Sequence, residues 1–155
     1  MNSSISTEQI PVAAGGSDFQ AESVGFVSIG RNEGERLRAG LKSIQALHPG
    51  CPVVYVDSGS SDNSVEFARS IDVVVVQLDE DIPFTAARAR NAGFKALVKD
   101  NPSLKYVQFL DGDCELVAGW IETAIGALSQ DSATAVVSGR RVEKFPESSV
   151  FNALV

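Results

Sequence analysis

Residues 52–77 read PVVYVDSGSSDNSVEFARSIDVVVVQ. An apolar run, Pro52 to Val56, gives way to a small polar loop, Asp57 to Ser61. A segment of helical character follows and ends at Ser70, and a second apolar run spans Asp72 to Gln77. Short β-branched runs on either side of a helix mark a β-α-β unit. Asn63 and Glu66 stand three apart at the head of the helix, the spacing of a capping box.

The alternation extends in both directions. Upstream, Val24 to Ile29 (VGFVSI) is a nearly unbroken apolar run and reads as a strand covered on both faces. Gly34 to Leu47 reads as a helix on which Leu37, Leu41 and Ile44 recur, stopped by His48-Pro49-Gly50. Downstream, Thr85 to Lys99 reads as an Ala- and Arg-rich helix, and Lys105 to Leu110 (KYVQFL) as a strand. Trp120 to Leu128 reads as a helix with Ile121, Ala124, Ile125 and Leu128 on one face, and Thr134 to Ser138 (TAVVS) as a fifth strand. The predicted fold class is α/β, a mostly parallel sheet with helices on both faces. Residues 1–22 are rich in Ser, Gly and Ala without a period and read as a flexible leader, leaving 23–155 as one domain. The stretch from Gly139 to Val155 ends on an apolar residue with no closing element, so the chain reads as truncated.

Bulk properties remove some function classes. With 13 Lys and Arg against 20 Asp and Glu, the net charge is -7, which disfavours wrapping nucleic acid or settling on an anionic membrane. It does not disfavour one phosphorylated small molecule bound through a metal, because the metal brings its own charge. Two cysteines, Cys51 and Cys114, form no disulfide framework, and with His48 as the single histidine they form no zinc site. No apolar run reaches membrane-spanning length and no signal peptide is evident, so the expected location is cytoplasmic.

In parallel α/β sheets ligands bind at the carboxyl ends of the strands, and the chemistry-bearing residues fall there. Asp111-Gly112-Asp113 follows a strand directly. Two carboxylates around a glycine offer hard oxygen ligands suited to Mg²⁺ or Mn²⁺, and such a metal can bridge a diphosphate leaving group. An isolated Asp-Gly-Asp is more often a plain acidic turn. Asp57-Ser58-Gly59-Ser60-Ser61-Asp62 also follows a strand. Asp57 there can accept hydrogen bonds from a base or ribose, while Asp62 or Asn63 caps the next helix. Gly30-Arg31-Asn32-Glu33-Gly34 lies between a strand and a helix, where phosphate can be received, although it is neither a Walker loop nor a dinucleotide fingerprint. In Arg88-Ala89-Arg90-Asn91-Ala92-Gly93, one arginine of an Ala-rich helix is expected to turn inward to an acid or a phosphate.

Asn32-Glu33, Val56-Asp57-Ser58-Gly59-Ser60-x-Asp62, Ala89-Arg90-Asn91-x-Gly93 and Asp111-Gly112-Asp113 occur in the order found in family 2 glycosyltransferases of the GT-A fold. The chain resembles that family from about Val24 to Arg141, with Trp120 where the family often has an aromatic. The resemblance implies a nucleotide-binding role for the loop at Asn32 and Glu33 and a base contact for Asp57. It implies that Arg90 and Asn91 order the loop near the donor, that Asp111 reaches the ribose or metal, and that Asp113 is a metal ligand. It further implies a UDP- or GDP-sugar as donor, a glycan or lipid-linked acceptor, and an inverting reaction at the inner face of the membrane in the full-length protein. The stretch from Gly139 to Leu154 is similar to members found with bacterial exopolysaccharide genes.

The sequence departs from the family where many members have two consecutive acids and this chain has Asp57-Ser58. It departs again at Ile29-Gly30-Arg31, where a Pro-Thr type of sequence is usual. No acid beyond Glu147 is present to serve as catalytic base, so the catalytic residue is unassigned and the expected role is donor binding. A sugar-phosphate nucleotidyltransferase shares the sheet and metal acids but wants a Gly-rich, basic loop after the first strand. A non-catalytic receiver-like or donor-sensing module wants an acid pocket and a late lysine that Asn32-Glu33 and Lys144 match poorly.

Overall fold

The computed structural model describes residues 23–148, so the leader assigned to 1–22 and the last residues of the tail lie outside them. Four strands, β1 (Val24–Gly30), β2 (Val53–Asp57), β3 (Val74–Gln77) and β4 (Tyr106–Asp111), form one sheet in the order β3-β2-β1-β4. Every pairing is parallel. Helices α1 (Glu35–Leu47), α2 (Ser64–Ser70) and α3 (Ala86–Asp100) connect them. This sheet unit extends to Gly119, and a second compact unit begins at Trp120 with helix α4 (Trp120–Gln130).

Helices lie on both faces of the sheet, and β1 is buried almost throughout, as its unbroken apolar run predicts, whereas Val74 on the outer strand β3 is 53% exposed. On one face Gly25, Val27 and Ile29 alternate toward α3, and the cluster of Val27, Ile29, Val54, Val56, Leu78, Ala89 and Leu97 forms the core. Gly93 makes this packing close: a Cβ there would lie 2.4 Å from Val27 Cγ1 and 2.8 Å from Val56 Cγ2. On the other face Phe26 meets the ring of His48, at the end of α1, at 5.6 Å. Leu37, Leu41 and Ile44 of α1 are buried, as their spacing predicts. Arg38 of α1 lies over the ring of Phe67 of α2 at 4.3 Å.

Three expectations need correction. The stretch Thr134–Ser138 is not a strand. An apolar run becomes a strand only beside a pairing partner, and here Val136 is 82% exposed. The chain instead turns on Asp131, whose carboxylate accepts from the Ala133 N–H at 2.9 Å and the Thr134 hydroxyl at 3.1 Å. The third strand begins at Val74 rather than Asp72, because Asp72 takes a left-handed φ of 59° that no strand continues through. The Asn63–Glu66 capping box does not form: the Asn63 side chain makes no cap bond, and Asp62 Oδ1 accepts from the Ser64 N–H at 3.0 Å. Thr85 does cap α3, accepting from the Arg88 N–H at 3.1 Å.

The strand order fixes where a ligand can sit. From β1 the chain builds outward to β2 and β3, then returns to place β4 on the opposite side of β1. Connections therefore leave the sheet edge in opposite directions between β1 and β4, opening a crevice at their carboxyl ends. The register sets Gly30 beside Asp57 and Ile29 beside Asp111, so three of the motifs emerge at one level.

Candidate donor site

Three segments meet at this carboxyl edge. Residues 30–34 follow β1, residues 57–62 follow β2, and residues 111–116 follow β4.

The first two are bonded to each other. Asn32 adopts a left-handed φ of 56°, a conformation asparagine tolerates. Its side-chain Oδ1 accepts the Ser61 N–H at 2.7 Å, and its own N–H donates to Ser60 Oγ at 2.9 Å. The Arg31 guanidinium donates to the Gly59 carbonyl at 3.2 Å and lies 5.5 Å from the ring of Phe84. Asp62 closes the far end: Oδ2 accepts the Gly34 N–H at 3.1 Å while Oδ1 caps α2. The Asp62 carboxyl is held below its ordinary range, chiefly by Ser64, opposed next by burial, with the N–H bonds from Ser64 and Gly34 adding to the lowering.

Asp57 lies beneath this clasp, 1% exposed. A buried carboxylate needs donors. Oδ2 accepts the N–H groups of Gly59 at 3.1 Å and Ser60 at 3.0 Å, and Oδ1 accepts the Tyr55 hydroxyl at 3.2 Å. Gly59 carries a φ of 83°, which the turn requires.

The acid turn is tied to β1 and α1. The Gly112 N–H donates to the Ile29 carbonyl at 2.7 Å, and Glu33 packs its methylenes over Gly112 while pairing with Arg36 at 2.7 Å. Gly40 of α1 lets the turn approach: a Cβ there would lie 2.6 Å from the Cys114 carbonyl. The Ser43 hydroxyl accepts the Leu116 N–H at 2.8 Å.

Asp111 and Asp113 differ in environment. Asp111 Oδ1 pairs with Arg90 at 2.6 Å, both side chains about two-fifths exposed at 42% and 40%. Arg90 is thus the inward-turning arginine expected of the Ala-rich helix. Arg88 serves its own loop, donating to the carbonyls of Ile82 at 2.7 Å and Asp79 at 2.9 Å. Asp113 is exposed, with the Cys114 thiol 3.5 Å from Oδ1. Asn91 is exposed on α3. One residue along a helix is a turn of about 100°, so Arg90 and Asn91 point differently and Arg90 is the one that reaches the acid turn. Among the described residues no cluster of three or more His, Cys, Asp or Glu side chains forms a ready metal cage.

The structure therefore gathers Arg31, Asn32, Glu33, Asp57, Arg90, Asp111 and Asp113 at one sheet edge, each on a strand-following loop or the facing helix. A match to the family described as "Glycosyl transferase family 2" spans residues 27–152. The chain belongs to glycosyl transferase family 2. Among solved structures it is similar to TarS from S. aureus, with 16% identity, a TM-score of 0.56, and coverage of 77% of this chain and 40% of that one. It is also similar to the mannosyltransferase PcManGT from Pyrobaculum calidifontis, solved in complex with GDP-Man and Mn²⁺. That match has 21% identity, a TM-score of 0.59, and coverage of 79% of this chain and 37% of that one. These likenesses show a shared fold, and this family 2 chain spans about two-fifths of the length of either. No curated protein matches it. Family membership sets aside the nucleotidyltransferase and receiver-like alternatives.

Sequence reasoning passed over Tyr55, which reads as one more apolar strand residue. It also missed Gly40 and Ser43, whose contacts lie some 70 residues away in the chain, as the Ser43–Leu116 separation of 73 shows. It missed Phe84, which abuts Gly59 and faces Arg31. For Phe84 a signal existed, an aromatic set between Ile82-Pro83 and a helix cap.

Proposed function

We propose that this chain binds a nucleotide-diphosphate sugar and supports metal-assisted, inverting transfer of the sugar to a glycan or lipid-linked acceptor in polysaccharide synthesis. The observation that carries the reading is the convergence at the β1–β4 crevice of a two-loop clasp and an exposed acid turn braced by an arginine. The GDP-Man and Mn²⁺ held by the structurally similar mannosyltransferase support it. In this reading the role of residues 23–155 is donor binding, with the leader outside it, and the setting is the cytoplasm or the inner face of a membrane. No helix among the described residues is long and apolar enough to cross one.

The acid turn fits Mn²⁺ or Mg²⁺. Such ions are commonly held by one or two carboxylates, with the remaining positions filled by substrate phosphates and water, so a ready three-acid cage is not required. Asp113 is exposed and Asp111 keeps one carboxylate oxygen beyond its Arg90 contact. When bound, the ion supplies charge neutralisation for the departing diphosphate. The chain's own groups do the rest. Asp113 and Asp111 hold the ion's position, Arg90 fixes the Asp111 rotamer, and the Arg31–Gly34 and Asp57–Asp62 loops present a rigid wall to the nucleoside.

Isothermal titration of the chain with UDP and GDP, each with and without Mn²⁺, tests this, with Asp113→Asn beside it. The expected result is Mn²⁺-dependent binding of one nucleotide, weakened at least roughly tenfold in the variant, the size of a lost charged ligand. Binding indifferent to Mn²⁺ and to the substitution, or no binding of either nucleotide, would overturn it.

A further inference from the structure

The clasp rests on a hydrogen-bond relay that begins in the core. The Asn32 N–H donates to Ser60 Oγ at 2.9 Å. Ser60 in turn donates its own N–H to Asp57 Oδ2 at 3.0 Å. The Tyr55 hydroxyl donates to Asp57 Oδ1 at 3.2 Å, so Asp57 links the core tyrosine to the loop. Tyr55 is 0% exposed. Burial pushes its phenol well above the usual value, so it stays neutral and keeps its proton to donate.

Resting on the donor-site reading above, we infer that Tyr55 is a positioning residue for nucleotide binding, its hydroxyl locking Asp57, and through it Ser60, so that the β1 and β2 loops act as one clasp. The tyrosine touches no ligand. It acts through one acceptor, Asp57. With its hydroxyl in place, one Asp57 oxygen is committed to the core and the other to the Gly59 and Ser60 amides, which fixes the Gly59 carbonyl under Arg31 and Ser60 Oγ under Asn32. Without the hydroxyl, Asp57 Oδ1 is a buried charged acceptor lacking this donor, and the carboxylate is free to abandon the turn. A phenylalanine would fill the same volume, so the sheet does not need the oxygen.

The test compares Tyr55→Phe and Ser60→Ala, the second interrupting the relay from its partly exposed end without altering the core. Hydrogen exchange is followed at the amides of Asn32, Gly59, Ser60 and Ser61 in the ligand-free chain, and UDP and GDP affinities are measured with Mn²⁺. Both variants are expected to speed exchange at those amides about tenfold, with Val27 and Val54 unchanged. Both are expected to weaken nucleotide binding by a similar factor, that of one hydrogen bond to a charged group. In a double-mutant cycle with Asn32→Ala, the combined loss of affinity is expected to fall short of the product of the single losses, as coupled sites require. Unchanged exchange at the loop amides, equal acceleration throughout the core, or multiplicative losses would each overturn the inference. If the parent chain binds neither nucleotide, the donor-site reading falls, while the exchange data still decide whether Tyr55 sets the loops.

Discussion

Asp62 shows how much one side chain can organise here. It caps α2 through one oxygen and holds the Gly34 N–H, at the entry to α1, through the other. Asp62→Ala is expected to cost about 1 kcal/mol, the usual loss for a helix cap, and to lower Tm by about 4 °C in thermal denaturation. Because its carboxyl is held below the ordinary range, the stabilisation is complete above the ordinary aspartate pKa and disappears as pH falls through the lowered value. The parent and Asp62→Ala melting curves should therefore converge in strong acid; a constant gap would refute the assignment. The sequence offered both Asp62 and Asn63 for this cap, with the Glu66 spacing pointing to Asn63. What separates them is the position of Gly34, 28 residues earlier, and local pattern carries no information about such a partner. The same holds for Tyr55, whose aromatic ring is legible as core and whose hydroxyl bond is not.

At the level of elements, the β-α-β reading was sound because each strand and helix in the sheet unit satisfies its own local rule: apolar runs for β1 to β3, period and stop signals for α1, a threonine cap for α3. The stretch after Asp131 failed because a strand is defined by its neighbour. Two helical glycines carry meaning that period analysis does not register. Gly93 admits α3 to the sheet, and Gly93→Ala is expected to destabilise by about 2 kcal/mol through overpacking against Val27 and Val56, measured by chemical denaturation. Gly40 admits the acid turn to α1. A Cβ at that position would press on backbone, the Cys114 carbonyl, so the turn itself must shift. Gly40→Ala is expected to reduce Mn²⁺-dependent nucleotide affinity roughly tenfold by displacing Asp111 and Asp113, because a small misplacement of a charged group is costly. An unaltered titration would show that the turn and α1 are not coupled.

For the whole molecule, a net charge of -7 and an anionic ligand set the sign of a salt effect. Without metal the two repel, so raising salt from about 20 to 200 mM screens the repulsion and is expected to leave nucleotide affinity unchanged or about twofold stronger. With Mn²⁺ present the dominant long-range contact is attractive, and the same salt is expected to weaken binding. Titration at two ionic strengths reads both signs, and an identical trend with and without metal would contradict the metal's place in the site. The strand order that opens the crevice could not have been drawn from the sequence, since the same strands fit several orders; the motifs at strand ends were legible because function there overrides propensity. The clasp has a further consequence for how such a chain can change. Its two loops share one set of bonds, so neither is an independent cassette. Grafting the 57–62 loop from a relative that reads another base would strand Asn32 and Gly34, and a graft of 30–34 would strand Ser60, Ser61 and Asp62. A shift of donor preference in this lineage therefore has to move through paired substitutions, and the two loops should be exchanged together in any attempt to redirect it.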